Sequence, residues 1–186
     1  MLLDADKANA VNSWFERMEI PYTVEARNLA EDQTLTGDAV LLLLRDTRSG
    51  ATVTLPDVGF GISQILSVVL QLAIADNRCL IVEQPELHLH PRVQSNLADL
   101  ALDAVREDGR QNQIVMETHS EHLLLRFQRR IRSGLVDPKN ICVLYVENQG
   151  VEGSKVIELE LDSNGEFMTP WPHGFFPERL DELVGD

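Results

Sequence analysis

Several things are scarce in this sequence, and each scarcity removes a class of function. No uncharged apolar run reaches the roughly 18 residues that a membrane-crossing helix requires. The longest candidate, Ile62 to Ala75, is shorter and carries Ser63, Gln64, Ser67 and Gln71. The opening Met-Leu-Leu-Asp-Ala-Asp-Lys has no basic stretch leading into an apolar one, so no signal peptide is read and a cytoplasmic location is expected. There are 2 cysteines and no Cys-x-x-Cys pair, which argues against a structural zinc site. Cys79 and Cys142 both fall in apolar, strand-like segments and are expected to be reduced core residues. Basic residues are outnumbered, 16 to 30, and the net charge of −14 opposes a general nucleic-acid clamp because phosphate would be repelled. Four arginines, Arg126, Arg129, Arg130 and Arg132, do cluster on one expected helix, and are read first as a solvated face. No internal repeat, low-complexity segment or linker stands out.

What is present suits one well-cored domain of ordinary globular composition, with 44% apolar and 25% charged residues. Apolar positions at Ala10, Val11, Trp14, Phe15 and Met18 recur with helical spacing, and Pro21 ends that element. Strands are expected around 22–26, 39–45 and 51–55, the last two joined by an Asp-Thr-Arg-Ser-Gly turn. After Gly61 the pattern becomes a nearly all-round apolar helix, to be buried against a sheet. A strand at 79–83, a helix opened by Pro91 and closed by Asp108-Gly109, a strand at 113–117 and a helix over 120–132 follow. Strands at 141–147 and 155–161 complete the order, which implies right-handed crossovers and a largely parallel sheet. Residues 162–186, with Trp171, Phe175 and Phe176, read as an irregular flap with a short terminal helix.

The most informative segment is Cys79 to Pro91, an apolar strand running into Glu83-Gln84-Pro85-Glu86 and then Leu87-His88-Leu89-His90-Pro91. Carboxylates at the carboxyl end of a buried parallel strand lie where open α/β sheets bind ligands. This segment resembles the Walker B region of ABC-class ATPases of the RecF, SMC and overcoming-lysogenization-defect kind. Two further segments match in order. Asp57-Val58-Gly59-Phe60-Gly61-Ile62-Ser63-Gln64 resembles a divergent ABC signature loop, and Gln113 to Ser120 resembles the last core strand with its switch histidine in Thr118-His119-Ser120.

The resemblance implies the carboxyl-terminal lobe of a P-loop NTPase of ABC type: an α/β fold, mostly parallel, flanked by helices. It divides 1–186 into a β-rich lead-in (1–56), a motif-bearing core (57–161) and a flap (162–186). It implies ATP and Mg2+ as cofactors. Glu83 would hold the magnesium through water, and Gln84 would fall where the family has the residue that polarises the attacking water. An amide cannot act as a general base. Either Glu86 supplies the base or hydrolysis is slow and the protein acts as an ATP-gated switch. His119 would donate to the γ-phosphate and sense its loss. Gly59, Gly61, Ser63 and Gln64 would contact the γ-phosphate held by an opposite subunit, through a glycine-permitted close approach and a helix N-terminus.

No Gly-x-x-x-x-Gly-Lys-Ser/Thr loop occurs in the sequence. Without its backbone donors and lysine the chain alone is expected to bind ATP poorly. The expectation is therefore a piece of a longer ATPase, or a short subunit, acting as a homodimer or with a P-loop-bearing partner, with DNA or a nuclease as possible effector and no membrane. DNA repair or defence against phage follow by analogy only. Two other readings stay open: a non-hydrolysing binding module, and a metal-dependent nuclease using Glu83, Glu86, His88, His90, His119 and His122.

Overall fold

The computed structural model describes residues 5–28, 40–106 and 110–172. They fall into two compact units, Met1–Leu123 and Leu124–Asp186. Asp108-Gly109, Phe175, Phe176 and the expected terminal helix lie outside the described residues.

In the first unit helix α1 (Ala5–Arg17) turns Val11, Trp14 and Phe15 inward, with Met18 just beyond its end. It packs against strand β1 (Tyr22–Asn28) and helix α2 (Phe60–Ile74). Asn12 on α1 behaves as a substitute strand partner. Its Oδ1 accepts from the Val24 N–H at 2.6 Å and its Nδ2 donates to the Val24 carbonyl at 3.2 Å. That closes part of the outer edge of β1, whose backbone groups would otherwise be unpaired. On its other side β1 pairs antiparallel with β2 (Val40–Asp46) along all 7 residues of each. The expected turn follows. Asp46 accepts from the Arg48 and Ser49 N–H groups, and Gly50 takes φ 73°, the left-handed conformation glycine tolerates best. Strand β3 (Thr52–Val53) is shorter than expected, because Leu55–Asp57 winds into a 3-10 turn instead.

Helix α2 buries Ile65, Leu66, Val69, Leu72 and Ala73, while Ser67 and Gln71 are exposed, so it is less uniformly covered than its composition suggested. Helix α3 (Pro91–Ala104) packs beside it and buries Leu97, Ala98, Leu100, Ala101 and Ala104. Asn112 ties both helix ends to the sheet: its Nδ2 donates to the carbonyls of Ala75 and Ala104, and its Oδ1 accepts from the Arg78 N–H. The Arg110 guanidinium donates to the Leu72 and Ala73 carbonyls and to Asp103. Helix carboxyl ends leave carbonyls without partners, and these two side chains satisfy several of them.

Beyond Asn112 strand β5 (Gln113–Glu117) runs parallel to β4 (Cys79–Glu83), with Cys79 opposite Gln113 and Glu83 opposite Glu117. The expected parallel pairing is thus present in these two strands. β6 (Leu144–Asn148) takes β7 (Ser154–Glu158) as its partner, antiparallel. Both cysteines are free and exposed, not core residues. Cys79 starts an alternating strand on its outward face, whereas Cys142 lies near Glu158. Slight burial and that neighbouring carboxylate push the Cys142 thiol up from its ordinary value.

In the second unit the greater part of helix α4 (Glu121–Arg132) and the β6–β7 hairpin bury Ile131 and Leu159. Arg132 pairs with Glu166 at 2.6 Å, and Trp171 meets Tyr145 and Phe167 edge-on. Gly165 packs against the Gln128 carbonyl, where a Cβ would lie 2.4 Å from the oxygen.

Candidate functional site

All three motif segments belong to the first unit and meet around the carboxyl ends of β4 and β5. The turn after β4 is built from unusual backbone. Gln84 and His88 take φ 43° and 60°, left-handed values that cost a non-glycine residue of order 1 kcal/mol each. Pro85 between them is fully buried, and Glu86 is 7% exposed. Such a turn persists only where its surroundings over-determine it.

Those surroundings are the other two motifs. The Glu86 carboxylate accepts the His119 N–H at 2.6 Å, joining the turn after β4 to the loop after β5. Gln94, on the first turns of α3, reinforces the join. Its Nε2 donates to the Leu89 carbonyl at 3.0 Å, and its Oε1 accepts from the Ser120 hydroxyl at 2.7 Å. The buried Ser120 then accepts from the Leu123 N–H at 3.2 Å, capping α4 as a helix-opening serine does. Glu86 Oε2 is buried without a partner among the described residues.

The 59–64 segment approaches the same turn from the other side. Gly59 is the N-cap of α2, with open space where a Cβ would be. Gly61 is constrained: a Cβ there would stand 2.8 Å from the His88 carbonyl oxygen. Phe60, 71% exposed, meets the His88 ring edge-on at 5.3 Å. Ser63 Oγ donates back to the Phe60 carbonyl at 2.9 Å, and Gln64 Oε1 is buried with no partner among the described residues. Gly59 leaves backbone accessible at the start of α2, while the Ser63 hydroxyl is turned back onto its own helix turn and the Gln64 amide oxygen is buried. Just before this segment, Asp57 Oδ2 accepts from the Thr54 hydroxyl at 2.6 Å and from its N–H at 2.8 Å. Those bonds hold the Asp57 carboxyl below its ordinary range.

Glu83, Glu117 and His119 are all exposed at this edge. Gln84 is tied to the neighbouring strand: its N–H donates to the Glu117 carbonyl at 2.8 Å and its Nε2 to Glu117 Oε1 at 3.0 Å. The exposed Glu83 carboxylate is an oxygen donor of the kind that holds a hard divalent cation through water. His90 has a different task. Its Nδ1 accepts the Arg92 N–H and caps α3. Among the described residues no group of three or more His, Cys, Asp or Glu is placed to hold a metal ion directly. No described helix is long and apolar enough to cross a membrane.

Sequence reasoning singled out neither Glu117 nor Gln94. Glu117 had a signal, since two parallel strands both end in glutamate before a motif. Gln94 had none, because nothing in its neighbourhood of sequence points across to Ser120.

The whole fold is similar to solved ATPase heads. One is an SMC ATPase described for ATP-driven dimerization and DNA-stimulated activation, with TM-score 0.57 and 13% identity over 97% of this chain and 92% of that one. Another is an SMC head bound to the C-winged helix domain of ScpA, with TM-score 0.61 and 13% identity over 84% of this chain and 43% of that one. A third, from Pyrococcus furiosus, is an SMC head with an extended coiled coil bound to the C-terminal domain of ScpA, with TM-score 0.58, 11% identity and coverage of 96% and 38%. The chain therefore spans less than half of the last two. At these identities the likeness is one of fold, and it is the ABC-type head fold that the motifs implied. No curated protein matches the sequence. The AAA ATPase domain family matches residues 3–124, and the chain belongs to that family.

Proposed function

We propose that this chain is the lobe of an ABC-class ATPase that brings signature loop, Walker B strand and switch histidine to a composite ATP site between two protomers. The observation that carries the reading is the clamp between motifs: the Glu86 carboxylate on the His119 N–H, with Gly61 seated against the His88 carbonyl of the same turn. Segments far apart in sequence are held in one rigid edge, as a phosphate-sensing site requires. In this reading Gly59 and Gly61 open the start of α2 to the γ-phosphate of an opposite subunit, with the Ser63 hydroxyl bracing that turn through the Phe60 carbonyl and Gln64 beside it. His119 donates to the same phosphate. Glu83 holds Mg2+ through water, and the bound ion supplies charge neutralisation for the transferred phosphoryl group.

A second observation supports a composite site. On the outward face of β4 and β5, Ile81 is 74% exposed and Val115 59% exposed. Parallel strands are ordinarily covered on both faces. A P-loop-bearing polypeptide fits that apolar face and supplies the lysine and backbone donors that this sequence lacks. ATP-driven dimerization and DNA-stimulated activation are described for one of the similar SMC ATPases, and a role in DNA repair or anti-phage defence is proposed by analogy of family alone. The test is ATP turnover in the assembly with its P-loop-bearing partner. Glu83→Ala and His119→Ala are each expected to abolish it, and unchanged turnover in both sinks the assignment.

One observation favours the alternative, a non-hydrolysing ATP-gated module. The residue at the polarising position is an amide, and Glu86 is buried with one oxygen committed to His119. ATP binding without turnover, in an assembly that carries the P-loop, is the outcome that selects it.

A further inference from the structure

Position 84 cannot supply a base, yet its side chain is not idle. The left-handed backbone of Gln84 directs it across to β5, where its amide donates to Glu117 Oε1 at 3.0 Å while its N–H donates to the Glu117 carbonyl at 2.8 Å. Glu117 stands directly opposite Glu83 in the parallel register and is exposed, and among the described residues only its Oε1 is engaged. The carboxylate absent from position 84 is thus present one strand over, at the tip of the Gln84 side chain. A carboxamide donor is also the right partner for a carboxylate that must be fixed in direction, because it bonds one oxygen and leaves the other to accept a proton.

We infer that Glu117 is the general base of this ATPase site and that Gln84 is its positioning residue, so the two strands have exchanged the roles of carboxylate and amide. The inference rests on the ATPase reading above. In the step it describes, a water oxygen bonds to the γ-phosphorus while Glu117 takes one proton from that water. The bond from phosphorus to the β,γ-bridging oxygen breaks, and ADP leaves with the electron pair. The proton then passes to solvent, so ATP and water become ADP, inorganic phosphate and one proton. Glu86 is left with a separate task, holding the His119 loop.

Two measurements test the exchange, one of which needs no nucleotide. In thermal melts of this chain, Gln84→Glu places a second carboxylate at hydrogen-bond distance from Glu117, and like charges there lower the melting temperature. Glu117→Gln added to it restores an amide–carboxylate pair and recovers the loss. Additive effects of the two substitutions overturn the contact on which everything else depends. In the assembly with its P-loop-bearing partner, Glu117→Gln is expected to cut turnover by about 100-fold or more with nucleotide binding retained, the usual weight of a lost general base. The Q84E/E117Q double variant then regains a large part of that loss, which a merely structural role for Glu117 does not predict. Turnover within twofold in Glu117→Gln, while Glu83→Ala abolishes it, overturns the base assignment alone. Turnover unchanged in Glu83→Ala and His119→Ala as well means that the ATPase reading itself has failed.

Discussion

Strands β1 and β2 are paired along 7 residues each and bury Val24, Leu43 and Leu44, whereas β4 and β5 are paired along 5 and bury no side chain fully. Both ladders lie in the same unit. The antiparallel one is closed on its outer edge by Asn12 and packed by Val11, Phe15 and Met18. The parallel one is fastened mainly at its ends, by Asn112 where it begins and by Gln84 and Glu86 where it finishes. Stability is therefore assigned to the first sheet, and in the proposed reading chemistry falls to the second. The first is packed by buried apolar side chains, while the second keeps Ile81 and Val115 exposed on one face beside a polar edge.

The widest difference should appear on removing a core side chain. Phe15 is fully buried, and Phe15→Ala is expected to cost about 3–5 kcal/mol in urea unfolding, the usual range for a buried phenylalanine. A cost below that of the site variants that follow would break the assignment of stability to the α1–β1–β2 region.

Glu86→Leu should come next. It removes the acceptor of the His119 N–H and is expected to cost about 1–3 kcal/mol, the price of an orphaned donor. Glu86→Gln keeps an acceptor and should recover most of it. Backbone amide exchange at His119 gives the local readout, fast in the leucine variant and slow in the glutamine one. Equal exchange in both would show that the turn is not held by this bond.

The bare face provides the sharpest contrast. Ile81→Lys and Val115→Lys should change the stability of this chain by no more than about 0.5 kcal/mol, as exposed sites do. The same charges should prevent association with a P-loop-bearing polypeptide, measured by co-sedimentation. Association at wild-type affinity would mean that this face is not the covered one.

Much of this was readable in the sequence, for physical reasons that differ by region. The 3.6-residue spacing of Val11, Trp14, Phe15 and Met18 gave α1, and Ser49-Gly50 gave the turn after β2, because both signals are local. The motif segments pointed to the carboxyl ends of β4 and β5, since Glu83 closes one apolar strand and Thr118-His119-Ser120 follows the other. What escaped was contact across strands. Nothing local distinguishes Glu86 as the ligand of a backbone N–H from Glu86 as a base, and only the register of β4 on β5 places Glu117 against Gln84. Cys79 was misplaced for a related reason. Its apolar neighbours suggested a strand covered on both faces, and one face is exposed.

The smallest effect concerns the link between the two sheets. Asp57 sits in the 3-10 turn that leads from β3 into α2, and the Thr54 hydroxyl and N–H hold its carboxyl below the ordinary value. A carboxyl depressed in the folded state stabilises that state at pH values above its unfolded pKa, and the contribution is lost as pH falls through the folded one. Wild type should therefore lose stability relative to Asp57→Asn as pH is lowered from neutrality to below about 4, where an unfolded aspartate takes up its proton. The group is fully exposed, so the shift is a small one, best read as a narrowing difference in melting temperature between the two proteins. A difference that stays constant with pH would mean that Asp57 does not brace the entry to α2. The position of the glycine loop against His88 would then rest on Gly61 and the Phe60 ring.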